Sequence, residues 1–496
     1  MFAKILHNLK KQKYQSLLTH VIELGLVCHG LSIYSTLENK MREENYFSDQ
    51  TEAEKAKTYS RIFTLMLVYN AVHKIIIGFI QDLFGMWIAR TLIHLQMITA
   101  LIILIIMNSE KDFLAFIGFP MYYGAAIGLA VNFVQITFLD LKRKSLWNST
   151  TGSIIVVGQQ MYLFYRALSD TNYFWYMLLV FQVPVIFRTF YYTSKSNTVA
   201  GGIGWGTRKL PLPIFDDSKK ENKGQGDKSK ISKTCQKLFS VALLCIMVHS
   251  ILNELRIQAF ADQLQSWLIW ATDNDQEKIN YYTDFYVSLS LISLVTSLIQ
   301  GFLMDSMINF FHTNKKFNLN KKYASILASS LFLCLCSLCH MMASFMLIFK
   351  LVDSETGQPT SGWNYYLALI FRTLGINCYY TPTTVLIMAI SDPNYVSRVF
   401  ALKNLAGLVE LLLPTLITFV NETCEGNFAT LEKIFVVAGL VSMIFPVLVI
   451  FYQFRFGGEE FRNVENEKIE EDNDAFQEDK DDDERFRAES IMSHIY

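Results

Sequence analysis

A few ionisable and amide side chains interrupt the long apolar runs of this 496-residue chain. Glu23, His29 and Ser32 fall within the first run. Asn132 and Gln135 lie three apart near the end of another, and so share a face if it is helical. Gln159 and Gln160 sit in the next, His249, Asn253 and Glu254 in a later one, and Asn377, Tyr379 and Tyr380 just before Pro382. Such groups are expensive in hydrocarbon, so each is either hydrogen-bonded to a neighbouring helix or kept for a polar solute. As a set they supply carboxylate and imidazole groups that would accept from an ammonium, and amide and hydroxyl donors for a carboxylate. The candidate binding residues are therefore Glu23, His29, Ser32, Asn132, Gln135, Gln159, His249, Asn253, Asn377 and Tyr380. Helix–helix bonding remains the alternative for each. Glu23, His29 and His249 are the groups that a proton-coupled cycle would use, and a uniporter needs none of them.

The elements that would position these residues are apolar helices. Hydrophobic residues make up 51% of the chain and charged residues 18%, and the apolar ones gather into runs of bilayer-spanning length. Twelve runs are expected to span: 16–37, 62–82, 87–108, 113–139, 147–168, 172–192, 236–260, 281–304, 323–349, 362–390, 397–420 and 431–454. Only helices satisfy their own backbone in lipid without closing into a barrel. The expected fold is all-α, with two six-helix bundles at 1–192 and 236–455. A Lys-, Gly- and Ser-rich cytoplasmic linker, 193–235, would join them, and an acidic disordered cytoplasmic tail, 456–496, would follow. From Arg455 onward there are 15 acidic and 6 basic residues. That tail offers a docking segment to a cytoplasmic partner, although a solvated tail is the plainer reading. Lysine and arginine in alternate loops place both termini in the cytoplasm.

One pattern occurs twice, 223 residues apart: Gly78-Phe79-Ile80-Gln81-Asp82 and Gly301-Phe302-Leu303-Met304-Asp305, each at the end of an apolar run. The duplication points to parallel repeats, a common transporter construction. A glycine on a helix face lets a neighbour approach closely. A carboxylate at a helix end is stabilised against the N-terminus of another helix. Gly78, Asp82, Gly85, Arg90, Gly301 and Asp305 are the expected cytoplasmic gate.

Twelve spans, a central loop and the repeated Gly-x-x-x-Asp resemble the major facilitator superfamily, whose signature after the second helix reads Gly-x-x-x-Asp-Arg-x-Gly-Arg-Arg. Leu83 stands here where the signature has a base, and the second copy keeps only Gly301 and Asp305. The resemblance implies a latch between Asp82 and the start of the eleventh helix near Ser397 and Arg398, and a second between Asp305 and the fifth helix near Ser149. Within the superfamily the chain resembles the solute carrier 43 family of L-type amino acid transporters. The stretches concerned are Val21-Ile22-Glu23-Leu24-Gly25 with Gly30-Leu31-Ser32; Asn132-Phe133-Val134-Gln135-Ile136 with Lys142-Arg143-Lys144-Ser145; and Arg398-Val399-Phe400-Ala401-Leu402 with Gly407 and Leu411 to Pro414. That likeness implies sodium-independent facilitated movement of large neutral amino acids at the plasma membrane. One branch of the family carries purine nucleobases instead. A non-transporting receptor or scaffold on the same fold is the alternative from outside transport.

Other classes find little support. Cys336-Ser337-Leu338-Cys339-His340 has haem-attachment spacing, but it lies inside an apolar run. Gly201 to Gly206 follows no strand and opens no helix, so it lacks the context of a phosphate loop. There is no catalytic triad pattern, metal-ligand set or nucleotide loop in context, and no basic field of the kind that binds nucleic acid. The expected partners are a small solute and the lipid bilayer, with no cofactor and no metal. Asn421-Glu422-Thr423 is a sequon on an expected external loop, whereas Asn148-Ser149-Thr150 falls on the cytoplasmic side. In a glycosylating host, Asn421→Gln should abolish a glycosidase-sensitive mass shift and Asn148→Gln should leave it intact. The reverse result would invert the topology.

Overall fold

A computed structural model describes residues 23, 25, 41–42, 44–84, 86–137, 145–146, 148–150, 171–195, 240–273, 275–314, 317, 319–351, 362–391, 396–412, 419 and 427–456. The linker and acidic tail lie outside that set apart from their first residues, as do His29, Ser32, Gly85, Gln159 and Asn421. The described residues form helices and turns, with no strand among them. The helices are α1 Glu52–Phe84, α2 Met86–Ile106, α3 Ala115–Thr137, α4 Thr171–Lys195, α5 Val241–Ala271, α6 Gln276–Thr313, α7 Lys321–Leu347, α8 Trp363–Ile390, α9 Val396–Lys403, α10 Phe428–Ser442 and α11 Ile444–Phe456. They occupy ten of the twelve apolar runs. The first and fifth runs enter only through residues 23 and 25 and residues 145–150. Among the described residues, five helical windows are long and apolar enough to cross a bilayer, among them Ile88–Ile106, Lys321–Leu347 and Phe428–Phe456, the last running through α10 and α11.

Two departures from a plain α-helix follow from local chemistry. A turn at Met443 breaks the twelfth run into α10 and α11. The eleventh run leaves α geometry after Lys403, and Asn404–Leu412 continue as a 3-10 helix of nine residues. Asn404 sits at the change and donates its side-chain amide to Phe400 O at 2.9 Å. Polar caps start the α-helices where the chain turns. Asp275 accepts from the Glu277 and Lys278 amides at 3.1 and 3.2 Å. The Lys278 ammonium, hydrogen-bonded to it at 3.0 Å, helps hold its carboxyl below the usual carboxylate range.

Apolar packing sorts the helices into groups. One cluster joins α1, α2, α3 and α4 around Trp175, with Phe119, Tyr122 and Phe174 edge-on to its ring. Two others join α5, α6, α7, α8, α10 and α11. Leu67 of α1 enters one of the latter, and Phe63 packs against it. Within the first group, α3 presents Gly124 and Gly128 one turn apart. Tyr69 covers the first and His73 the second, their rings stacked at 5.7 Å. A methyl group at Gly128 would lie 2.9 Å from His73 Cε1 and 3.2 Å from Ile93. Gly128→Val should therefore destabilise the protein by about 1–3 kcal/mol through overpacking. Thermal unfolding in detergent would register this as a lower midpoint, and an unchanged midpoint would argue against the contact.

Candidate functional site: a charged seam between the helix groups

Among the described residues, buried ionisable side chains cluster at three places, apart from the Asp305 contact taken up below. The first is inside the first group. Glu23, on the first run, forms an ion pair with Arg90 of α2 through Oε2 and Nη2, and its Oε1 lies 2.9 Å from His94 Nε2. All three side chains are buried. Sequence spacing groups Arg90 with the cytoplasmic gate and Glu23 with the binding residues. The structure joins the two in one buried contact, because Arg90 lies on the second turn of α2 and faces the first run.

The second place is where α1 of the first group packs on α9 and the 3-10 segment, which in turn contact α5 of the second. Glu254 of α5 is buried there. Its Oε1 accepts from Lys403 Nζ at 2.6 Å and from the Tyr379 hydroxyl of α8 at 2.6 Å. Lys403 Nζ also lies 5.0 Å from the centre of the Tyr379 ring. Lys74 of α1 acts electrostatically on the same carboxylate from across the seam. Sequence reasoning noted Glu254 and Tyr379 but missed Lys403. The available signal was a base at the seventh position of an apolar run that also holds an acid, Glu410.

The third place is within the second group. Arg256, two residues beyond Glu254, points about 200° away around α5. It donates to Ser344 Oγ of α7. Arg372 of α8 donates to Ile257 O at 2.6 Å, and its guanidinium lies 3.9 Å over the Phe260 ring. Glu432 of α10 is the carboxylate that acts on both guanidiniums. The eleventh run also holds Glu410, a carboxylate of the right sign to pair with Arg372 of the tenth. The Glu410 side chain is outside the described residues; among those described, Arg372 interacts with α5, Tyr286 of α6 and Glu432.

The remaining expected residues are placed as follows. His249 Nδ1 lies 3.1 Å from Ser442 O, and Asn253 donates to His249 O at 2.8 Å and accepts from the Cys336 thiol. These bonds tie α5 to α7 and α10 inside the second group. Asn377 donates to Thr296 of α6 at 2.6 Å. Tyr380 is 47% exposed and packs edge-on to Tyr379. Asn132 and Gln135 lie on α3, with side chains outside the described residues.

At the end of the helices expected to face the cytoplasm, the fifth run meets α6 and α8. Asp305 accepts from the amides of Ser145 and Leu146, both at 3.1 Å. Gly301, one turn earlier, faces Leu146 Cα and Ser149 so closely that a methyl there would come within 2.9 Å of both. Ser297 donates to Ser149 O at 2.9 Å, and Ser149 Oγ lies 3.2 Å from Thr381 Oγ1. The second Gly-x-x-x-Asp copy is thus a close helix contact closed by a charged acceptor. In the first copy Gly78 is buried and α1 packs against α9, while the Asp82 side chain is outside the described residues. Bonds to a charged acceptor contribute about 1.5–3 kcal/mol each. Asp305→Ala should therefore speed hydrogen exchange at the Ser145 and Leu146 amides by roughly tenfold or more. Equal exchange in a folded variant would show that the carboxylate holds nothing shut.

No family model matches the sequence, and no curated protein matches it. Solved structures do match in shape. A bacterial homologue of the iron transporter ferroportin in an outward-facing state aligns with TM-score 0.62 at 10% identity, over 88% of this chain and 99% of that one. The human organic anion transporter MFSD10 (TETRAN) aligns with TM-score 0.55 at 12% identity, over 88% and 99%. The proton:xylose symporter XylE, of the major facilitator superfamily, aligns with TM-score 0.55 at 13% identity, over 90% and 95%. Identities this low speak for architecture alone, and the architecture of this chain is the major facilitator fold.

Proposed function

We propose that this protein moves a small organic solute bearing a carboxylate across a membrane by alternating access, and that large neutral amino acids are its substrate class. The observation that carries the reading is the Glu254–Lys403–Tyr379 cluster, placed where the two helix groups meet and faced by Lys74. Desolvating such a pair costs several kcal/mol per ion, and a well-packed apolar pair would often be as stable. The cluster gains a purpose if a zwitterion can exchange for its internal partners. The solute ammonium would replace Lys403 on Glu254, and the solute carboxylate would take the Lys403 and Lys74 ammonium groups. Neither charge would then be stranded while the groups rock about the seam. Solved proteins of like shape are named as transporters of iron, organic anions and xylose, so the fold accommodates polar solutes of several kinds. The solute carrier 43 likeness supports the narrower class.

A second reading has its own observation. Two lysines face one carboxylate at the seam, which suits a carboxylate solute without an ammonium group.

Uptake into liposomes holding the purified protein tests both. Labelled leucine and phenylalanine should enter saturably and independently of sodium. Entry of the 2-oxo acid of leucine alone would favour the second reading. Adenine entry alone would assign the nucleobase class, and no entry with folded protein would overturn transport of these solutes. Lys403→Met removes the hydrogen-bonded cation from a buried carboxylate, a change that costs up to about 3–5 kcal/mol, and should lower leucine uptake at least tenfold. The double variant Glu254→Gln/Lys403→Met should recover thermal stability without recovering uptake. Recovery of both would mean that the pair serves only structure.

A further inference from the structure

One end of the second helix group is basic in sequence. From Ser306 through Leu347, which takes in the end of α6, the 314–322 loop and all of α7, there is no Asp or Glu, and α11 has none. Lys315, Lys316, Lys321 and Lys322 all fall within the loop. Lys321 and Lys322 are exposed and open α7, where their charges add to the positive end of the helix dipole. The loop is a platform held by its own hydrogen bonds. Phe317 N donates to Asn314 O at 3.0 Å, and Leu319 N donates to Phe311 O at 3.3 Å. His312 Nδ1 lies 2.9 Å from Leu319 O, and the Asn320 side chain accepts from the Tyr323 amide at 3.0 Å. Phe317 packs edge-on to Phe311 and beside Phe310, yet stays 41% exposed.

The last helix ends at this platform. Phe454 of α11 packs edge-on to Tyr323 of α7 with ring centres 5.4 Å apart, and Arg455 beside it is exposed. The acidic tail, which lies outside the described residues, therefore starts next to Lys321 and Lys322. Beyond Phe456 it carries 15 acidic and 5 basic residues. Six of those acids fall in the run 478–484, and Phe476 and Phe486 bracket it. The tail sequence thus offers carboxylates for the lysines and rings for exposed Phe310 and Phe317. The linker 193–235, with nine basic and four acidic residues, has the wrong sign.

We propose that the acidic run 478–484 docks on the 314–322 platform of the same chain, its carboxylates on the four lysines and a flanking phenylalanine against Phe317. Single exposed ion pairs contribute little. Here several act together, and the tether raises the local concentration of the run to about the millimolar range. Glu478 is 22 residues beyond Phe456, a length that spans about 25 Å even as a random coil. The run therefore meets the lysines without strain. Anionic lipid headgroups share the charge of the tail but not its tether to the platform. The docking surface is separate from the seam, and the inference stands whatever the transported solute.

The test uses the full chain, one molecule per phosphatidylcholine nanodisc, with a photo-crosslinking amino acid in place of Phe476. Mass spectrometry should locate the crosslink within residues 310–322. Its yield should fall about fivefold or more as salt rises from about 0.05 to 0.5 M, because exposed charges are screened. Lys315→Glu, Lys316→Glu, Lys321→Glu and Lys322→Glu together should lower the yield as far at low salt. Adding Asp481→Lys, Asp482→Lys, Asp483→Lys and Glu484→Lys to that variant should restore it, which a tail that is merely nearby would not do. A crosslink outside 310–322 would overturn the proposal, as would a yield indifferent to salt and to the lysines. Slowed hydrogen exchange of the loop in phosphatidylserine discs, with no tail crosslink in either lipid, would assign the surface to lipid and also overturn it. Should the lysine variant fail to fold, the salt series on the parent protein decides: a falling yield upholds the docking and a constant one overturns it.

Discussion

Ionised groups are poorly tolerated in a bundle whose surroundings are hydrocarbon, and this constraint organises the rest of the molecule. Each buried charge in the described residues is met by groups from other helices rather than from its own. Glu23 reaches α2, Glu254 reaches α8 and α9, and Arg256 reaches α7. Because partners come from different helices, the charges fix helix order and rotation as well as local chemistry. Apolar packing alone would do this less sharply, since lipid competes with one apolar helix face as readily as another.

The three charged places differ in what surrounds them. Glu23, Arg90 and His94 are enclosed by one helix group. Arg256, Arg372 and Glu432 are enclosed by the other. The Glu254–Lys403 contact is faced by a charge from the opposite group, Lys74. A pair inside a group moves with that group. A pair at the seam must change its surroundings whenever the groups shift, and so its environment is coupled to their relative position. The Asp305 contact with Ser145 and Leu146 has the same property at one end of the helices. The mechanical and the chemical parts of the reading thus rest on residues a few turns apart along α5, α6 and the fifth run.

Much of the architecture was legible in the sequence. Apolar runs of spanning length are a strong signal, and all ten that the structure describes are helical. The duplicated glycine and aspartate drew attention to Gly301 and Asp305, whose close helix approach and helix-end acceptance could be reasoned from residue type. What escaped was pairing. Arg90 lies eight residues beyond Asp82, and nearness along the chain suggested a shared gate. Its side chain instead turns toward Glu23, a partner 67 residues away that no local pattern encodes. Lys403 escaped because a base near the start of a run reads as an interfacial residue. Gly124 and Gly128 carried a readable close-packing signal, but polar residues in the same run took precedence over it. The 3-10 segment has no compositional mark, since Asn404–Leu412 is as apolar as an ordinary span.

That segment has a geometrical consequence. A 3-10 helix rises about 2.0 Å and turns about 120° per residue, against about 1.5 Å and 100° for an α-helix. Over nine residues the difference amounts to about 4–5 Å of length and about half a turn of twist. Conversion of that segment to α geometry would shorten and rotate the eleventh run by that amount. Lys403 sits at the junction where that change would begin, so the winding of one helix and the grip on Glu254 are parts of a single coordinate.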